Sequence, residues 1–183
     1  MANEIAELRL LCPRRQMPAW EARILAERQA HRLQQLIRAT DPPFPEQAIE
    51  HLPRVEVRYV RSRRLAGAVS WTGRRWRILV NSDDPWGRQR FSMSHELKHL
   101  IDHPFKDTIY RDGRFGSADL QAERAADYFA ACLLMPRIWL KRAFYDQAIR
   151  DPRMLARHFQ VSTTAMRYRL DQLGILEPAG RRA

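Results

Sequence analysis

Residues 89–103, Gln89-Arg90-Phe91-Ser92-Met93-Ser94-His95-Glu96-Leu97-Lys98-His99-Leu100-Ile101-Asp102-His103, read as one helix closed by Pro104. At about 100° per residue, Leu97, Leu100 and Ile101 lie broadly opposite the stripe formed by His95 and His99. One side of the helix can enter a core while the other presents two imidazoles a turn apart, the HExxH arrangement that binds a single metal ion. An ordinary amphipathic helix with solvated histidines would carry the same five residues, so the reading depends on a third ligand.

The extended motif HExxHxxGxxH needs Gly at 102 and His at 105; Asp102 and Phe105 stand there, and that class is excluded. His103 is one possible third ligand, but it ends the helix and has drifted about 80° from His95. Glu123 is the better candidate. It sits on a second long helix, from Ala118 to Met135 and stopped by Pro136, with Asp127 four residues later on the same face. Glu123 can complete a coordination shell while Asp127 accepts the free N–H of a ligating histidine, fixing its tautomer and raising its basicity.

Working outward, Pro18 to about Thr40 carries Ile24, Leu25, Leu33, Leu36 and Ile37 at helical spacing, and the residues before it read as a loose arm. Val55–Val60 alternates with period two, and Ala68–Trp71 and Trp76–Val80 follow around a Thr72-Gly73 turn. Three such segments in a row predict a small antiparallel meander. The turn formers Asn81 to Gly87 end the sheet, residues 104–118 read as a loop, and helices continue to about Leu173 with breaks near Asp151-Pro152 and Gln160–Ser162.

The chain has 183 residues, 45% apolar and 29% charged, which places it among globular proteins and allows one domain with a helical appendage. Two cysteines, Cys12 and Cys132, exclude a disulfide framework; with no signal-peptide core and no apolar run long enough to span a membrane, the expected compartment is the cytosol. Thirty-two basic residues against 21 acidic give a net charge of +11, which suits a polyanionic partner without naming one. Only Lys98, Lys106 and Lys141 are lysines, and so marked an arginine bias has a genomic reading too.

The segments Arg90 to Leu100 and Glu123-Arg124-Ala125-Ala126-Asp127-Tyr128-Phe129-Ala130-Ala131-Cys132-Leu133-Leu134-Met135-Pro136 resemble the two hallmark stretches of the ImmA/IrrE family of metallo-endopeptidases, over about Pro18 to Leu176. The resemblance implies an α+β fold: a mainly helical, zincin-like peptidase domain with a small three-stranded antiparallel sheet and a C-terminal helix-turn-helix-like segment. The expected boundaries are 1–17 for a flexible arm, 18–150 for the peptidase domain, 151–177 for the C-terminal segment packed on it, and 178–183 for a basic tail. Carried onto this chain, His95, His99 and Glu123 become ligands of one Zn2+ per chain, as in gluzincins, and Glu96 the catalytic base acting on water. Lys98 stands where many members have Gly, and Asp127 where many have Asn; the Lys98 side chain is expected to point to solvent.

The implied function is site-specific cleavage of a partner repressor, commonly an Xre-type helix-turn-helix protein, with the sheet edge as a dock for extended substrate. Tyr128, Tyr110 and His158 are candidates for stabilising the oxyanion. A competing function comes from Met154 to Leu170, which reads as helix, turn and a helix capped by Ser162, with Arg167 and Arg169 available to nucleic acid. A DNA-binding regulator with a structural or sensory metal, or a non-catalytic partner, therefore stands as the alternative to a peptidase.

Overall fold

The computed structural model describes residues 3–110 and 116–175; the expected basic tail lies outside them. Helices α1 (Glu4–Arg9), α2 (Ala19–Leu36) and α3 (Gln47–Glu50) precede strands β1 (Val55–Val60), β2 (Gly67–Trp71) and β3 (Trp76–Asn81). Then follow α4 (Trp86–Asp102), α5 (Lys106–Ile109), α6 (Ala118–Leu134), α7 (Arg137–Lys141), a π turn over Arg142–Asp146, α8 (Pro152–Phe159) and α9 (Thr163–Gln172).

The architecture is an α+β layer in which α6 packs against both α2 and α4. Alanines make this possible: Ala122, Ala125, Ala126 and Ala130 are buried on α6, and their small side chains let neighbouring helices approach closely. Ser117 caps the helix by accepting from Leu120 N–H at 3.1 Å, and Gln34 of α2 donates to the terminal carbonyls of Cys132 and Leu133 at 3.1 and 3.0 Å. Met93, Leu97, Leu100 and Ile101 of α4 are fully buried, as the helical spacing predicts. Each such side chain contributes roughly 1.5–3 kcal/mol on burial, which fixes the rotation of α4 and turns its histidines the other way.

The sheet departs from the expected antiparallel meander. Its order is β1-β3-β2, with β1 and β3 parallel and only β2 and β3 antiparallel. The 61–66 link carries the chain past one strand position, and β3 returns to fill it. Asn81 pins the link, accepting from Ser62 N–H at 3.1 Å and donating to Ser62 C=O at 2.8 Å. Period-two alternation reports which residues form strands but not their spatial order; the short apolar run Ile78-Leu79-Val80 of β3, with Ile78 and Val80 fully buried, accords with its central place.

The N-terminal residues, expected as a loose arm, include α1, capped by Asn3 and holding Ile5 and Leu8 in the core. Arg9 then donates to the last carbonyls of α4, Leu100 at 2.9 Å and Ile101 at 3.2 Å. Six residues are too few to display a helical period. At the other end Asp151 caps α8, Gln160 turns the chain in the left-handed region at φ 54°, and Ser162 caps α9. Leu155, Phe159, Met166 and Leu170 join the same core as Leu97 and Leu133. Gly87 of α4 lies so close to the α8–α9 turn that a Cβ there would stand 2.8 Å from the Val161 carbonyl carbon.

That packing removes Arg169 from the expected nucleic-acid contacts. It is 1% exposed and donates to Met135 C=O at 3.2 Å, Gln172 Oε1 at 3.2 Å and Cys132 Sγ at 3.3 Å. Arg167, two residues earlier, is exposed. Among the described residues no helix is long and apolar enough to cross a membrane.

Candidate metal centre

With its apolar face buried, α4 presents His95 and His99 toward α6, their rings 4.8 Å apart and edge-on. Glu123 meets both: its Oε2 lies 3.2 Å from His95 Nε2, its Oε1 lies 3.2 Å from His99 Nε2, and the two Nε2 atoms are 3.0 Å apart. A tetrahedral ion with ligand bonds of about 2.0–2.1 Å needs ligand atoms about 3.3 Å apart, so the three donors match the edge of such a shell. His95 Nδ1 lies 2.9 Å from Asp127 Oδ1. In the neutral ring this contact puts the proton on Nδ1 and leaves Nε2 bare toward His99, an arrangement that a cation between the two nitrogens would satisfy. Among the described residues, no fourth His, Cys, Asp or Glu joins the cluster.

The cluster opens to one side. The His95 and His99 side chains are 16% and 22% exposed, whereas that of Glu123 is 57% exposed. Burial pulls the His95 imidazole down, but the hydrogen bond and charge of Asp127, with Glu96 and Glu123 adding, carry it above the ordinary histidine value. Burial and the neighbouring His95 hold His99 below that value. Glu96 is outside the ligand set; burial, with the charge of Glu123 adding, pushes its carboxyl up to about 6.

One residue that the motif did not disclose shapes this carboxylate. A Cβ at Gly67, the first residue of β2, would lie 2.9 Å from Glu96 Oε1 and 3.0 Å from its Cγ. The edge strand thus passes directly against the candidate base, and a Cβ at this position would require the Glu96 carboxylate to shift.

His103, the other possible ligand, is turned away and packs edge-on against Trp76 at 4.8 Å. Lys98 does not reach solvent: it is 1% exposed, with Nζ 2.5 Å from Asp102 Oδ2, and the Tyr110 hydroxyl donates to the same oxygen. The i,i+4 spacing of Lys98 and Asp102 was a legible signal for that pair. The Tyr128 ring packs against the guanidinium groups of Arg23, at 4.5 Å, and Arg169, at 5.4 Å, while His158 packs edge-on against Phe159. Among the described residues, none of Tyr110, Tyr128 and His158 hydrogen-bonds to the cluster.

Residues 53–171, which take in every member of the cluster, match the model of the IrrE N-terminal-like domain, Peptidase_M78. The chain belongs to this family. A Mycobacterium tuberculosis transcriptional regulator has a similar structure, with a TM-score of 0.60 and 19% identity over 89% of this chain and 49% of that one. At such identity the likeness shows the fold, and this chain spans about half the length of that protein. No curated protein matches the sequence. As a Peptidase_M78 member the chain carries a domain of metallopeptidase type or IrrE-like regulatory role, and its His95–His99–Glu123 cluster is where a metal ion would be held.

Proposed function

We propose that the protein is a zinc-dependent endopeptidase whose substrate is a helix-turn-helix transcriptional repressor of the Xre type. The observation that carries this reading is the convergence of His95, His99 and Glu123 on one point, 3.0–3.2 Å apart, with the Glu96 carboxylate beside them and outside the ligand set. A zinc ion held by His95, His99 and Glu123 would supply Lewis acidity for peptide hydrolysis, in which water adds to the carbonyl carbon and the C–N bond breaks. Glu96 takes the water's proton and delivers it to the departing amine; its partly buried carboxylate is held against β2 for that transfer. Asp127 orients His95 by accepting its Nδ1–H.

The repressor assignment draws on the family and on the regulatory description of the M. tuberculosis neighbour. The DNA-binding alternative loses support with Arg169, whose donors are engaged inside the core. Co-expression with Xre-type helix-turn-helix repressors tests the proposal: defined repressor fragments should appear, vanish with a zinc chelator and return with added zinc. A repressor that stays intact with the zinc-loaded protein contradicts the substrate; cleavage indifferent to chelation contradicts the chemistry.

The Gly67 contact yields a separate expectation. Gly67→Ala should displace the Glu96 carboxylate by a few tenths of an ångström and lower kcat about ten- to a hundred-fold, with metal content unchanged. Unaltered kcat would show that the close approach has no bearing on the base.

A further inference from the structure

The charge of this chain is not spread evenly. Between residues 54 and 77 there are eight arginines and one glutamate, which accounts for seven of the eleven net positive charges. On the β1–β3 side they are neutralised in part: Glu56 pairs with Arg58 at 2.7 Å and with Arg77 at 3.1 Å. Arg61 has a loose partner in Asp83 at 3.8 Å. The other five, Arg54 ahead of β1, Arg63 and Arg64 before β2, and Arg74 and Arg75 after it, are exposed, and their side chains meet no carboxylate among the described residues.

These two pairs bracket the strand that borders the candidate base. Among the described residues β2 is an edge strand, paired on one side with β3. Its Gly67 end abuts Glu96, and its Trp71 end pairs with Trp76, which packs on His103 at the far end of α4. The strand therefore runs alongside α4 for its five residues, roughly 16 Å, with cations at both ends and backbone donors and acceptors between them.

We infer that the outer edge of β2 docks an extended peptide segment carrying acidic residues on both sides of the bond to be cut, recognised by Arg63 and Arg64 at one end and Arg74 and Arg75 at the other. The pattern is asymmetric, with the acidic position nearer the bond on the Arg63/Arg64 side, because Glu96 touches the Gly67 end of the strand. Two separated charge pairs joined by an edge strand suit a peptide better than a duplex, whose phosphates ask for a continuous basic track. The inference rests on the endopeptidase reading for its mention of a bond to be cut, but the docking itself is measured without cleavage.

The test uses the full-length, zinc-loaded Glu96→Gln protein and two fluorescent extended peptides, one with aspartates toward both ends and one with asparagines there, read by anisotropy. The aspartate peptide should bind about ten-fold tighter at about 50 mM salt and lose most of that advantage at about 300 mM. Reversing the four arginines (R63E, R64E, R74E, R75E) should erase the preference, and the neutral set with Gln at the same positions should reduce it, with thermal midpoint and zinc content kept. Equal affinities, or a preference that survives reversal, overturn the inference. Tighter binding of a short DNA duplex through the same arginines also overturns it and assigns the patch to nucleic acid. If wild-type protein distinguishes the peptides but cuts neither, docking stands and the peptidase reading falls; if it cuts both at one rate, docking falls and the peptidase reading stands.

Discussion

Lys98→Ala should destabilise the fold by about 3–5 kcal/mol, measured by urea or thermal unfolding, far beyond the cost of losing an exposed ion pair. Lys98 and Asp102 are 1% and 3% exposed, one helical turn apart, with the Tyr110 hydroxyl on the same carboxylate oxygen and Cys12 Sγ 3.9 Å from the other. Removing the ammonium leaves a carboxylate in the core facing a neutral phenol and a thiol, with only the Arg9 guanidinium, itself engaged on the Leu100 and Ile101 carbonyls, as a partly compensating cation. Burial holds both groups in their neutral forms, pushing the Cys12 thiol up to about 11 and the Tyr110 phenol further still. The paired replacement Lys98→Met with Asp102→Leu should be much milder, because no orphaned charge remains. A loss under about 1 kcal/mol for Lys98→Ala would mean that the pair behaves as a solvated one.

Glu96→Gln should lower kcat on the repressor by about a hundred- to ten-thousand-fold while zinc content and thermal midpoint stay as in the wild type. The change keeps the shape that fits against Gly67 and leaves all three ligand atoms in place, but an amide cannot take the proton from water. Undiminished cleavage by the Gln variant would remove Glu96 from the chemistry, even with the metal cluster intact. Loss of zinc together with activity would instead point to a ligand role for Glu96, at odds with the geometry.

Most of this centre could be read from the chain because helices convert spacing directly into geometry. His95 with His99 and Glu123 with Asp127 are each four apart, so each pair had to share a face, and the buried Leu97, Leu100 and Ile101 fixed which way α4 turned. Spacing carries less in a sheet. The strands were legible, but the parallel pairing of β1 with β3 depends on where the 61–66 link passes, and that is set by the Asn81–Ser62 hydrogen bonds rather than by alternation.

Long polar side chains were read least well. Cations are seldom buried, yet Lys98 and Arg169 both lie inside the fold with specific partner sets, Asp102 for one and the carbonyl of Met135 with Cys132 for the other. Partners of that kind come from tertiary packing and leave little trace in a local pattern. Gly67 was silent for the same reason: its importance lies in a carboxylate that arrives from a helix nearly thirty residues away.

The central claim is that His95, His99 and Glu123 hold a single metal ion, and elemental analysis of the purified protein beside its Glu123→Ala variant tests it most directly. The proposed function predicts close to one equivalent of zinc in the wild type and a marked loss in the variant, with the fold retained because Glu123 is a half-exposed side chain outside the core. A full equivalent in both proteins, or none in the wild type, would contradict it.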